Sequence, residues 1–218
     1  MSEPKKAVGG RKKNTEQAYH HGDLRRALLD AAMQLVTVQG VKGFTLREAA
    51  REAGVSHNAP YRHFASRADI LVALALEGQR KLMARMEAAV AKGSSQRQRL
   101  ERLAVAYLEF AAKETPLFRV MFSADVNDAQ TPELVQAQAD TLACFEREVL
   151  SGEKSGLLQA GKSLVFLVAG WSAMHGAATL LIDGVLGRTG GVPHRAPEKL
   201  AMNLMDTLFD GMLRRTGG

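Results

Sequence analysis

At 218 residues, 46% of them hydrophobic, the chain can bury one or two cores without disulfide or metal staples. Its single cysteine, Cys144, excludes an internal disulfide and fits a reducing cytoplasm. Residues 1–90 hold 15 Lys/Arg against 9 Asp/Glu, and residues 91–218 hold 14 of each. The whole net charge of +6 therefore sits in the first part, as expected of a phosphate-binding module beside a neutral one.

In chain order, Lys5, Lys6, Arg11, Lys12 and Lys13 stand among Gly and polar residues, without the apolar core of a signal peptide. Residues 1–21 read as a basic flexible arm, either a tail that follows a DNA backbone or a solubilising extension. From Asp23 to Gln39, Leu24, Ala27, Leu28, Ala31, Leu35 and Val38 recur on one face, and Gly40 closes that helix.

Residues 45–64, TLREAAREAGVSHNAPYRHF, carry the most information. Thr45 and Glu48 form a capping box, and Ala49, Ala50 and Ala53 keep the helix thin for a close crossing. Gly54 can take the left-handed conformation that ends a helix, and Val55 turns back into the core. Ser56 is expected to cap a second helix whose exposed side carries His57, Asn58, Tyr61, Arg62 and His63. Two helices around a short Gly turn match a helix-turn-helix unit, whose second helix enters the DNA major groove. An ordinary helical hairpin in an all-α protein is the bland alternative.

Downstream, Ser66 to Asp69 is another capping box, opening a long helix to about Lys92; Gly93-Ser94-Ser95 breaks it. Gln96 to Lys113 reads as a helix burying Leu100, Leu103, Val105, Tyr107 and Phe110. Thr115-Pro116 and Thr131-Pro132 read as N-caps followed by proline, starting helices near 116–123 and 132–150. Ser163 to Ile182 is a run of 20 uncharged residues, long enough to span a bilayer. Its Ser163, Gly170, Ser172, His175, Gly176 and Thr179 favour a helix of about 162–186 buried on most sides in a soluble protein, with Ala169, Ala173 and Ala177 allowing a close partner. Pro197 opens a last helix through Met212. The fold class is all-α, with about nine helices.

This arrangement resembles the tetracycline-repressor (TetR) family of bacterial regulators. The matching residues are Thr45, Ala49-Ala50, Ala53-Gly54-Val55, Tyr61, His63, Phe64 and Asp69; Pro60 departs from the commonest pattern. Trp171…His175-Gly176 resembles a signature of one subset. The resemblance implies a DNA-binding domain over residues 22–82 and a helical ligand-binding and dimerisation domain over 83–218, in a cytoplasmic homodimer that represses transcription until a small-molecule effector binds. Dimerisation would use the helices near 162–186 and 197–214.

Carried over, Thr45, Tyr61 and His63 contact phosphates. Arg47, one turn into its helix, reaches a phosphate or a base edge. Ser56, His57, Asn58 and Ala59, at the tip of the reading helix, face the bases, where Asn pairs bidentately with adenine. Phe110, Phe118, Met121, Phe122, Trp171, Met174 and His175 supply the aromatic and soft side chains of an apolar effector pocket, or else simply core. A buried His175 needs a polar partner, from the protein or from a ligand. The spacing of His20, His21, His57 and His63 does not make a metal site, and no cofactor is implied. Nor is there a nucleophile–base pair or phosphate loop, so an enzyme is the weaker reading. A ligand-independent architectural DNA-binding protein is the other alternative, though it would not need the neutral domain.

Overall fold

The computed structural model describes residues 16–129, 131–188 and 196–212, and among them it is helical with no strand. Two compact units divide it, residues 1–70 and 71–218. In the first unit, α1 spans Glu16–Gln39 and α2 spans Leu46–Glu52, followed by a 3₁₀ turn at Ala59–Arg62. Residues 16–21 of the expected arm are thus helical, and residues 1–15 of it lie outside the described residues.

Helix α1 buries Leu28, Leu29, Ala31, Ala32, Leu35 and Val36. Leu28, Ala31 and Leu35 thus lie on the expected face, Leu24 and Ala27 are half-buried, and Val38, at the end of the helix, is 84% exposed. Gly40 ends the helix at φ 80°, a conformation that any Cβ would strain. In α2, Ala49 and Ala50 are completely buried where α2 packs on α1.

The capping box closes in both directions: Thr45 Oγ1 accepts from the Glu48 backbone N–H, and a Glu48 carboxylate oxygen accepts from Thr45 N–H at 2.8 Å. The helix then ends at Gly54, φ 69°, with Val55 N–H donating to the Ala50 carbonyl at 2.9 Å. Phe64 is buried as expected, with the Arg25 guanidinium 5.4 Å from its ring centroid. Arg67 donates to the Val41 carbonyl at 2.7 Å and lies over Phe44.

Helix α3, Arg67–Val90, passes from the first unit into the second. The second unit adds α4 (Gln96–Lys113), α5 (Thr115–Met121), α6 (Ala124–Ala129), α7 (Pro132–Lys154), α8 (Ser163–Ile182), α9 (Val185–Arg188) and α10 (Pro197–Met212). Helix α4 is its hub, packing on α5, α7, α8 and α10 through Leu100, Leu103, Ala104, Tyr107, Leu108, Phe110 and Ala111. Gly78 of α3 lets Met121 approach so closely that a Cβ there would meet its sulfur at 2.5 Å. Buried Thr141 donates to Gln79 at 2.9 Å, and Arg99 pairs with Glu148 at 3.0 Å.

Two local expectations change. Thr131 caps α7 as expected, but Thr115 does not cap α5. Helix α5 follows α4 with almost no connection, so the Thr115 hydroxyl donates to the last carbonyls of α4, Ala111 and Ala112. The uncharged helix α8 is not buried on most sides. It buries Phe166, Gly170, Met174, Ala177, Ala178 and Leu181 but exposes Leu164 (70%), Val165, Val168 (57%) and Leu180. It is long and apolar enough to cross a membrane by length and composition alone, and among the described residues a third of that stretch is buried. Gly184, at φ 70°, separates it from α9.

Candidate nucleic-acid interface and aromatic cluster

The expected reading helix at 56–63 is instead a single 3₁₀ turn, and Pro60 is the physical reason. In an α-helix the residue-60 N–H would donate to the Ser56 carbonyl, but proline has none. The Ser56 carbonyl accepts from Ala59 N–H at 2.9 Å, the tighter i→i+3 pattern. Ser56 supplies no side-chain cap; the position before the turn is Asn58, whose side chain makes no cap bond either. Pro60 is buried, and Phe64 N–H donates to its carbonyl at 2.9 Å. Two buried rings, at 60 and 64, therefore clamp the turn from within.

The clamp leaves most of the other side chains outward, though His63 Nε2 is turned into the protein. Ser56, His57 and Asn58 are exposed, Ala59 is half-buried, Tyr61 is 52% exposed and His63 is half-buried. Arg47 and Arg51, one turn apart on α2, and Arg62 are exposed. Two nearby acids are engaged in caps: Glu48 in its capping box, and Asp69 in bonds from Ala65 N–H, Ser66 N–H and the Ser66 hydroxyl. Asp30 pairs with Arg26 at 2.6 Å. Caps thus occupy Glu48 and Asp69, and although Glu52 at the end of α2 is exposed, it is outnumbered there by exposed Arg47, Arg51 and Arg62, which favours a polyanion. Arg51 did not stand out in the sequence; the signal for it is its i,i+4 spacing from Arg47.

In the second unit the structure brings together only part of the expected pocket. His175 lies among Phe118 (ring centroids 5.7 Å), Phe122 (4.5 Å) and Trp171 (6.5 Å). The residue that organises them is Tyr107, whose hydroxyl lies 2.8 Å from His175 Nδ1. Its ring meets Trp171 at 5.5 Å and Phe118 edge-on at 5.7 Å. Burial pushes the Tyr107 phenol up, so it stays protonated, and pushes the His175 imidazole down, so it stays neutral. A phenol is the better donor, so the arrangement is Tyr107 O–H to an accepting Nδ1. The polar partner that His175 required is supplied by the protein.

Phe110 and Met121 stand apart from this cluster. Phe110 is fully buried with the Arg85 guanidinium 5.2 Å from its ring centroid, and Met121 is fully buried against Gly78. Met174 lines a void of about 20 Å³ with Leu103, Ala104, Tyr107, Phe145 and Trp171, room for about one water. A wider open groove of about 600 Å³ contains none of the expected pocket residues. It runs between α3, α4 and α10 and is rimmed by both signs of charge, Arg85, Arg102 and Lys113 against Glu101, Glu109 and Glu198. Among the described residues no cluster of His, Cys, Asp and Glu is placed to hold a metal ion.

A clamped polar turn after a capped helix, followed by a separate all-helical unit, has the layout of a helix-turn-helix protein. Residues 28–74 match the model of the bacterial regulatory proteins of the tetR family, and residues 100–208 that of the tetracyclin repressor-like C-terminal domain. The chain belongs to the tetracycline-repressor family. It is 37% identical over 60 residues to the HTH-type transcriptional regulator SrpR of Pseudomonas putida, a match covering 28% of each chain; it thus spans little more than a quarter of that curated relative. A protein of unknown function from Rhodococcus sp. RHA1 is 34% identical, covering 91% of this chain and all of that one, with a TM-score of 0.78. The regulator FadR from Bacillus subtilis, solved in complex with stearoyl-CoA, shares the fold at 17% identity and a TM-score of 0.67, over 86% and 98% of the two chains.

Proposed function

We propose that the chain is a cytoplasmic homodimeric repressor that binds a two-fold symmetric operator and is released from it by a small-molecule effector. The observation that carries this reading is the clamped turn: Pro60 and Phe64 buried beneath exposed Ser56, His57, Asn58 and Tyr61. Residues 22–82 serve DNA binding, with Ser56, His57, Asn58 and Ala59 toward base edges and Thr45, Arg47, Tyr61 and His63 toward phosphates. The Thr45 hydroxyl donates to Glu48, so its contribution is to fix the start of α2, whose free N–H groups favour an anion. Arg51 and Arg62 extend the phosphate surface.

Residues 83–218 serve dimerisation and effector binding. The exposed apolar stripe of α8, Leu164, Val165, Val168 and Leu180, is the surface a second copy would cover together with α10. Burying a large side chain of this kind contributes about 1.5–3 kcal/mol. The effector site is the ring cluster around His175, and the continuous helix α3 is the covalent route between effector and reading turn. With a void of about 20 Å³, an effector must open the cluster in order to enter, which is how binding selects a second state. Selection of bound fragments from random DNA tests the operator, and sedimentation tests the dimer. A monomer at micromolar concentration, or no enriched inverted repeat, would refute the reading.

A further inference from the structure

The groove between α3, α4 and α10 has a volume of about 600 Å³, within the roughly 300–1,000 Å³ of small-molecule clefts. Its floor is built of small and soft apolar residues: Ala88 and Ala89 of α3, Val105 and Ala106 of α4, and Met202 of α10. No aromatic ring lines it, and none of its residues belongs to the cluster around His175. It also stands apart from the exposed stripe of α8. Leu208, which approaches Gly170 of α8, is about a third of a turn round α10 from Met202.

The charges on the rim divide into spent and free. Glu101 holds Arg97 at 2.7 Å, Glu109 holds Lys113 at 2.7 Å, and Arg85 holds Glu114 at 2.8 Å. Lys92 and Arg102, both exposed, make no hydrogen bond or ion pair with any described residue, and neither does Glu198. Lys92 lies at the break between α3 and α4, and Arg102 lies within two turns of the start of α4. Glu198 is farther along. Asp206 of α10 meets Arg97 at the start of α4, and Glu198 lies about 12 Å back along α10 from it. The free charge is therefore two cations at the α3–α4 hairpin end and one acid toward the other.

We propose that this groove is a second small-molecule site, for an amphipathic monoanion: an anionic head at Lys92 and Arg102, and an aliphatic body along the apolar floor. The head stays near water at an exposed pair of cations, so its desolvation is small, while the body covers apolar surface. A cationic head meets like charges there, and a neutral molecule of equal length gains only the floor. A polyanion such as DNA would bring its further phosphates against Glu101, Glu109 and Glu198. The site does not depend on where the effector that releases DNA is bound.

The test is calorimetric titration of the full-length protein at pH 7.5, below micelle-forming concentrations, with three eight-carbon probes: octanoate, 1-octanol and octylammonium. Octanoate should bind at least tenfold more tightly than either of the others. Lys92→Glu combined with Arg102→Glu should invert the order, octylammonium then binding more tightly than octanoate. Ala88→Phe, which puts bulk into the groove from an exposed position, should weaken octanoate at least tenfold. Circular dichroism checks that helicity is unchanged; where the charge reversal lowers it, Lys92→Gln with Arg102→Gln takes its place and should bring octanoate to within twofold of 1-octanol. Equal binding of the three probes, binding by none, a preference for octanoate that survives the charge variants, or wild-type octanoate affinity in Ala88→Phe overturns the site.

Discussion

Histidine and tyrosine occur in both functional regions, in opposite circumstances. At the reading turn His57 and Tyr61 are exposed, with Pro60 and Phe64 buried beneath them. In the aromatic cluster Tyr107 and His175 are bonded to each other at 2.8 Å, and burial holds both neutral. A surface meant for a hydrated polyanion keeps its donors in water, where little must be undone before binding. A surface that has satisfied its own polar groups yields only to a ligand that fits well enough to replace what it displaces. Rigidity lies beneath the first surface; in the second it is the surface itself.

The largest effect that sharpens this contrast is removal of the clamp. Phe64→Ala should cost about 3–5 kcal/mol, as for other buried aromatics. Denaturant unfolding should show an early loss of helix from residues 1–70 while the emission of Trp171, the one tryptophan, holds to higher denaturant. A single shared transition at the wild-type midpoint would break the contrast. Next, Asn58→Ala should leave folding unchanged but reduce discrimination between selected and random DNA by about 1–3 kcal/mol. Tyr61→Phe should instead weaken both DNAs by similar factors. Competition binding at fixed salt measures both.

Tyr107→Phe should cost about 1 kcal/mol, the low end for an abandoned hydrogen-bond partner because the imidazole is only half-buried. Adding His175→Phe should recover part of that loss, which thermal unfolding of the pair would show. The smallest effect is on pH dependence. The folded His175 pKa lies below its ordinary value of 6.5, so below about pH 6.5 the unfolded chain takes up the proton first. Its contribution is therefore constant at higher pH and falls on acidification until the folded pKa is passed. Stability of wild type minus His175→Gln, measured from pH 7.5 to 5, should decline in that direction; a rise on acidification would contradict the neutral imidazole.

What was legible in the sequence was what the chain settles over three or four residues. The Thr45–Glu48 box, the Gly54 stop and the Thr131 cap involve neighbours along one helix end, and each formed as read. Pro60 was legible too, but its missing N–H does more than stiffen the turn, since it removes the bond that would have made the segment an α-helix. The Tyr107–His175 bond joins residues 68 apart, and no local pattern marks it. Nor does composition tell Phe110 and Met121, sealed elsewhere in the core, from Phe118 and Phe122, which line the cluster. The uniform hydrophobicity of α8 was misread for a related reason: an apolar face left exposed has the same residues as one buried at home.

The central claim is that the exposed tip of the clamped turn reads DNA in two symmetric copies. Sequencing DNA selected from a random pool by the wild-type protein and by Asn58→Ala, side by side, tests it most directly. The account predicts an inverted repeat with half-site centres about one helical turn apart, roughly 34–36 Å, or a multiple of it. Information should be lost at the same one or two base pairs of each half-site in the variant. A motif without two-fold symmetry, or one identical for both proteins, would contradict it.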